Sequence, residues 1–170
     1  MPGSEITFAV TGTILLTSGE LPVTKNLTIT GPGAGKLVID GGGTGRIFHV
    51  PSRYFGMPQV TLSGLTLTHG RAPTGGAILS DGDVALDGCV LAENEATSGS
   101  GGAISSGGFL ALRRTTFRGN LAKNGSGGAV ESRSLQLDVA ECTFADNQCG
   151  GSGGAIAALT GWALQAILVT

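Results

Sequence analysis

Four short stretches decide the fold: Gly75-Gly76-Ala77-Ile78, Gly101-Gly102-Ala103-Ile104, Gly127-Gly128-Ala129-Val130 and Gly153-Gly154-Ala155-Ile156. Their starting positions lie 26 residues apart each time, the self-similarity of a chain built from stacked repeats. Downstream of each stretch the apolar residues recur as well. The first unit has Val84, Leu86, Cys89 and Leu91 and then Asn94; the second has Leu110, Leu112, Thr115 and Phe117 and then Asn120. The third has Leu137, Val139, Cys142 and Phe144 and then Asn147, with one residue gained before Leu137 and one lost after Asn147, both in turns. The fourth reads Trp162, Leu164, Ile167 and Val169.

Apolar residues at i and i+2 have the period of a strand with one buried face, whereas a helix requires i, i+3 and i+4. Each unit therefore holds three short strands: the GGA[IV] segment, the segment around Val84 to Leu86, and the segment around Cys89 to Leu91. The Asn-Gly and Gly-Asn pairs of two-residue hairpins do not recur at the intervening bends, Gly119-Asn120 and Asn124-Gly125 standing in one unit alone. A chain that returns to the same three strands every turn stacks like on like, about 4.8 Å per coil, and parallel crossovers are almost always right-handed. The expected fold is thus all-β, a right-handed parallel β-helix (solenoid) of about 26 residues per coil.

Upstream, Val60, Leu62, Leu65, Leu67 and Gly70 match Val84 through Asn94, and Ile47 to Val50 matches Ala77 to Ser80. Leu27 to Ile29 and Leu37 to Ile39 belong to an earlier coil, and Ile6 to Val10 with Thr13 to Leu16 form a first one. The expected organisation is irregular N-terminal coils over 1–44 and regular coils over 45–170, ending within a coil. Trp162, Leu164, Ile167 and Val169 are then expected to form an open apolar edge through which copies self-associate.

Stacking turns each repeat position into a column. Phe48, Ile78, Ile104, Val130 and Ile156 make one apolar column, and Leu67, Leu91, Phe117, Phe144 and Val169 another. Asn94, Asn120 and Asn147 are expected to form a structural ladder whose amides hydrogen-bond along the axis. Ser80, Ser106 and Ser132 form a similar polar column. On the outside, Asp87, Arg113 and Asp138 are placed in one column after Ser63. Alternating charge stabilises a sheet, and this set is also the one candidate metal or catalytic cluster, since two carboxylates and a guanidinium could hold calcium and neutralise an acidic sugar. A working site needs more carboxylates converging than one column supplies, so the expectation is no catalytic residues, no metal and no cofactor.

Glycine at 31 of 170 residues, charged residues at 13% and a mean hydropathy of +0.26 exclude a charge-driven disordered chain. A net charge of −2 with no basic run argues against nucleic acid. Three cysteines without a CxxC spacing indicate neither a disulfide framework nor zinc. Met1-Pro2-Gly3-Ser4-Glu5 has no positive n-region and no long apolar stretch follows it, so no signal peptide is expected within this sequence, and no apolar run reaches about 18 residues. The glycine-rich loop ending at Lys36 has Thr30 and Leu37 where a phosphate-binding loop requires Gly and Ser or Thr. His49 and His69 are single histidines without a partner at ligand spacing.

The pairing of GGA[IV] with [FL]xxN resembles the repeat of the polymorphic outer-membrane protein family and, more broadly, the bacterial secreted β-helix proteins of the pectate-lyase-like superfamily. The motifs are Gly75–Ile78 with Leu91–Asn94, Gly101–Ile104 with Phe117–Asn120, and Gly127–Val130 with Phe144–Asn147. The resemblance implies a piece of a larger exported protein, secreted or displayed at the cell surface, acting as a non-catalytic scaffold or adhesin-like module for a surface glycan or protein ligand. A competing reading is a polysaccharide-active enzyme of lyase or epimerase type, resting on Asp87, Arg113 and Asp138. A third, ice binding, rests on the Thr66, Thr116 and Thr143 column, which Val90 interrupts.

Overall fold

Each repeat folds as one coil, and the coil starting at Asp83 shows how. Asp83–Asp87 runs as a strand with Val84 and Leu86 turned inward; a bend at Gly88 leads into Val90–Ala92; a second bend at Glu93 leads into Glu95–Ala96. A glycine-rich loop then delivers the chain to Ile104–Ser106, and the next coil begins at Leu110. The computed structural model describes residues 3–52 and 57–158 and the backbone of 164–167. Within them the chain is an all-β parallel solenoid of about six turns with roughly 26 residues per coil.

Four parallel sheets run along the axis among the described residues. A seven-stranded sheet passes from Ser4–Thr7 through Leu27–Thr30, Gln59–Ser63, Asp83–Asp87, Leu110–Arg113 and Leu137–Ala140 to Leu164–Ile167. A six-stranded sheet holds the GGA[IV] strands and begins at Leu21–Pro22; a second six-stranded sheet runs from Gly12–Leu15 to Thr143–Ala145. The fourth sheet adds to the three strands per unit expected from sequence. It consists of the two-residue strands Arg71–Ala72, Glu95–Ala96, Leu121–Ala122 and Gln148–Cys149. Two residues are too few to display an alternation.

The interior columns have the expected register. Phe48, Ile78, Ile104, Val130 and Ile156 pair in succession, as do Leu67, Leu91, Phe117 and Phe144, and the Phe117 and Phe144 rings stack with centroids 4.8 Å apart. The N-terminal strands enter the same sheets in register, Ile6 against Ile29 and Ile14 against Ile39, although Leu27 and Val60 are paired across a 33-residue coil. In this outermost described coil Ile6, Ile14 and Leu21 extend the core columns yet stay 43%, 36% and 40% exposed.

The last coil differs from the expected alignment. Leu164 pairs with Leu137 and Ala166 with Val139, so the register sits two residues along from the one that placed Trp162 and Leu164 there. A shift of two preserves which face each residue occupies, and alternation alone cannot distinguish it. Trp162 and Val169 lie outside the described residues, as do the side chains of Leu164 and Ile167, and with them the expected self-associating edge.

The double glycine of each unit follows from backbone geometry. Gly75, Gly101, Gly127 and Gly153 have φ of 58°, 68°, 68° and 71°, and a Cβ on any of them would lie 2.1–2.3 Å from the carbonyl oxygen three residues later. A Cβ on Gly76, Gly102 or Gly128 would lie 2.4, 2.0 or 2.0 Å from the carbonyl of its counterpart in the next coil. The first glycine supplies a left-handed turn and the second lets adjacent coils approach. At the bend occupied by Gly64 and Gly88 the same left-handed conformation is carried by Arg114 and Glu141, because a Cβ on Gly88 meets nothing within 4 Å. One bend therefore demands glycine while the other accepts side chains, except at Gly64, where a Cβ would lie 2.9 Å from Gly31 O.

Candidate functional site

The asparagine column is a continuous ladder. Asn94 donates from its backbone N and from Nδ2 to Asn120 Oδ1 at 3.1 and 3.0 Å, and Asn120 donates likewise to Asn147 Oδ1 at 3.0 and 2.9 Å. Each Nδ2 also donates to a strand carbonyl of the coil before it: Leu67, Leu91 and Phe117 respectively. Gly70 N closes the upper end on Asn94 Oδ1 at 2.8 Å. Asn94 and Asn120 are buried, so these amides satisfy bend backbone that water cannot reach.

The serine column works differently. Ser80 and Ser106 pair in register and each donates from Oγ to the carbonyl two residues on, Gly82 and Gly108. Ser132 continues the column, but its Oγ is buried without a hydrogen-bond partner. It stands at the bend that carries the inserted residue.

The outer charged column of the sequence reading is redistributed. Ser63, Asp87 and Arg113 pair in succession, but Asp138 pairs with Ala111, and the position after Arg113 is Ala140. Asp138 shares the outer face and stands one pleat away, because it falls between the two inward residues of its strand rather than after the second. Asp87 is bound instead by Arg114, whose Nη2 donates to Oδ2 at 2.5 Å. The three residues thus form no common cluster, and among the described residues no group of three or more His, Cys, Asp or Glu side chains is placed to hold a metal ion.

What the structure does gather is a chain of charges along the bend that also carries the ladder. His69 Nδ1 is 3.0 Å from Asp40 Oδ2 and its Nε2 is 3.3 Å from Glu93 Oε2, while Arg118 Nη1 donates to Glu93 at 3.4 Å. The Asp40 hydrogen bond raises the His69 pKa above its ordinary 6.5; burial opposes this, and the two carboxylate charges with the Glu93 bond reinforce it. Burial pushes the Asp40 pKa up, but the Gly42 N–H, the His69 bond and its charge outweigh it and hold the carboxyl below 3.8. Arg71 pairs with Glu95 alongside at 3.2 Å. Nearer the N-terminus the largely buried Arg46 pairs with Glu20 and donates to the carbonyls of Gly75 and Thr74. Glu20 also meets His49 Nδ1 at 2.9 Å.

The three cysteines are free. Cys89 and Cys142 are buried two coils apart, on the order of 10 Å at about 4.8 Å per coil, beyond disulfide reach. Burial pushes both thiols above their ordinary pKa, so neither is a poised nucleophile.

One cleft lies on the outer face of the seven-stranded sheet. It has a volume of about 190 Å³ and is lined by Gln59, Val60, Thr61, Asp83, Val84, Ala85 and Phe109. Ala85 and Thr61 are neighbours in an outward column, and Phe109 N donates to Asp83 Oδ1 at 3.0 Å. The sequence reading passed over Phe109. Its signal was present: it precedes Leu110 where the adjacent coils have Asp83 and Gln136, a single aromatic in a polar column.

A family model described as the Chlamydia polymorphic membrane protein repeat matches residues 141–159. The matched segment contains the Cys142, Phe144 and Asn147 strand and bend and the Gly153–Ile156 stretch, so this part of the chain is similar to one such repeat. No curated protein and no solved structure matches the chain. No helix among the described residues is long and apolar enough to cross a membrane.

Proposed function

We propose that the chain is a surface-displayed, non-catalytic β-helix scaffold that binds a partner through its flat outer sides, as an adhesin-like part of an exported protein. The observation that carries this reading is how the charged side chains are used. Asp40, His69, Glu93 and Arg118, then Arg71 and Glu95, then Asp87 and Arg114 are engaged from coil to coil, fastening neighbouring turns rather than converging on a reaction centre. General acid–base chemistry requires groups aimed at a common point about 3 Å from each. The similarity of residues 141–159 to a polymorphic membrane protein repeat supports placement at an outer membrane or cell surface. Membership of the pectate-lyase-like superfamily belongs to the same proposal and rests on the motif resemblance.

The enzyme reading loses its support with the register, since Asp138 stands beside Ala111 rather than Arg113. In the ice-binding reading the threonine column contains Val90, and Arg118 interrupts the column beside it. The test is a paired measurement on the purified chain. Beads coated with it should attach to glycan- or protein-bearing cell surfaces, while acidic polysaccharides with and without added calcium should show no cleavage or epimerisation. Turnover that vanishes in Arg113→Ala would overturn the proposal, as would beads that attach no better than beads coated with a denatured control.

A further inference from the structure

We infer that the cleft beside Phe109 is a binding site for one neutral hexopyranose ring, such as the terminal sugar of an uncharged glycan. This rests on the display reading above and names its ligand.

The location excludes one common mode of recognition. The strand Gln59–Ser63 is hydrogen-bonded on both sides, to Leu27–Thr30 and to Asp83–Asp87, so no free backbone edge is offered to an added peptide strand. An occupant must be recognised by side chains on the outer face. At about 190 Å³ the cleft falls below the ~300 Å³ at which pockets begin to enclose drug-sized ligands. It suits one ring and little more.

Its chemistry is divided as a sugar ring is divided. Phe109 and Ala85 are apolar lining available to the C–H face of a pyranose, and an aromatic ring is the large, stiff surface that makes such contact effective. Around them stand the Gln59 amide, the Thr61 hydroxyl and the Asp83 carboxylate, donors and acceptors suited to ring hydroxyls. Asp83 is held in place because its Oδ1 accepts the Phe109 N–H at 3.0 Å, which leaves Oδ2 for a ligand and fixes the carboxylate relative to the ring. Gln59 is likewise anchored through its backbone N, which donates to Asn26 Oδ1 at 3.0 Å.

Charge selects the class. The described lining contains one carboxylate and no Lys or Arg, so a uronic acid, a sialic acid or a sulfated sugar would face repulsion without a counter-charge. A neutral ring avoids it. A shallow site of this size should bind a single ring with a dissociation constant on the order of 1 mM, and affinity on a cell would come from many copies acting together.

The full chain is titrated with methyl β-glucopyranoside, methyl β-galactopyranoside, methyl α-mannopyranoside and glucuronate, each to roughly 50 mM, well above a ~1 mM dissociation constant. Binding is followed by amide chemical shifts. At least one neutral glycoside should give saturable shifts centred on Thr61, Ala85 and Phe109, and glucuronate should bind about tenfold more weakly or not at all. Phe109→Ala should weaken the response about tenfold and Phe109→Tyr should retain it. Thr61→Arg, which fills the cleft from an exposed position, should abolish it with the melting temperature unchanged. The inference is overturned if no neutral glycoside shifts these amides, if glucuronate binds as tightly, or if binding survives both Phe109→Ala and Thr61→Arg. Bead attachment that persists while the amides stay silent refutes this site and leaves the display reading standing. Saturable sugar binding without bead attachment does the reverse.

Discussion

Replacing Asn120 by alanine removes the middle rung of the ladder, and its cost follows from the four bonds its carboxamide makes. Oδ1 accepts from the backbone N and the Nδ2 of Asn94, and Nδ2 donates to Leu91 O and Asn147 Oδ1. Two of these partners keep a second bond: Asn94 Nδ2 retains Leu67 O, and Asn147 Oδ1 retains the Asn120 backbone N. The Leu91 carbonyl belongs to the strand paired with Thr116–Arg118, so of the four partners the Asn94 N–H is the one left unpaired in the dry interior. With about 1–3 kcal/mol for that orphaned donor and about 1 kcal/mol for the bonds lost by groups that keep another partner, the substitution should destabilise the chain by about 2–4 kcal/mol. For a chain of this size that lowers the melting temperature by roughly 5–15 °C. Arg118, two residues earlier, is 55% exposed and reaches Glu93 only at 3.4 Å, so Arg118→Ala should stay within about 0.5 kcal/mol. Urea denaturation followed by circular dichroism compares the two directly. Because coils touch only their neighbours, hydrogen exchange should rise most in the coils of Asn94 and Asn147. Equal denaturation midpoints for Asn120→Ala and Arg118→Ala would refute the ladder's stabilising role.

Gly102→Ala, whose Cβ would lie 2.0 Å from Gly128 O and 2.7 Å from the Leu121 backbone, should destabilise by about 3 kcal/mol or more. Gly88→Ala, in open space at φ 58°, should lose only the ~1–2 kcal/mol of a left-handed residue, and thermal melts of the pair check the ordering. Ser106→Ala should cost about 1 kcal/mol because Oγ donates to Gly108 O, whereas Ser132→Ala should be neutral or stabilising because its hydroxyl is buried unpaired; a larger loss at 132 than at 106 contradicts this. The His69 pKa is raised, so the stability it contributes is complete below pH 6.5 and disappears as the pH climbs through the raised value. Between about pH 5.5 and 8.5 the native chain should lose a degree or two more in melting temperature than His69→Gln, the half-exposed site keeping the effect under ~1 kcal/mol.

The interior was legible in the sequence because burial constrains it. Every position of the Phe48 to Ile156 column must be apolar, so the column could be traced by spacing alone. The Asn94 to Asn147 rungs were legible for the same reason, since a buried bend amide has few substitutes. The exterior carries no such constraint. Asp138 could stand one pleat from Arg113 without penalty, and nothing in the alternation marked the difference. The two-residue strands of the fourth sheet are shorter than the period needed to recognise them. In the last coil several apolar residues offered two registers on the same face. Phe109 was overlooked because attention to repeating positions passes over a residue whose interest is that it does not repeat.

The fixed pairing of each coil with the next has a consequence for how such a chain can change over generations. Genetic exchange between two copies of the Gly-Gly-Ala segment, at Gly75 and Gly101 for instance, would delete or duplicate one whole turn and rejoin the chain at an equivalent backbone position. Phe48 would then meet Ile104 where it had met Ile78, and Gly70 would still find an asparagine below it, Asn120 for Asn94. A globular core seldom survives losing 26 residues from its middle, but here the cut ends match. The length of the solenoid could therefore drift in steps of about 4.8 Å, one coil at a time.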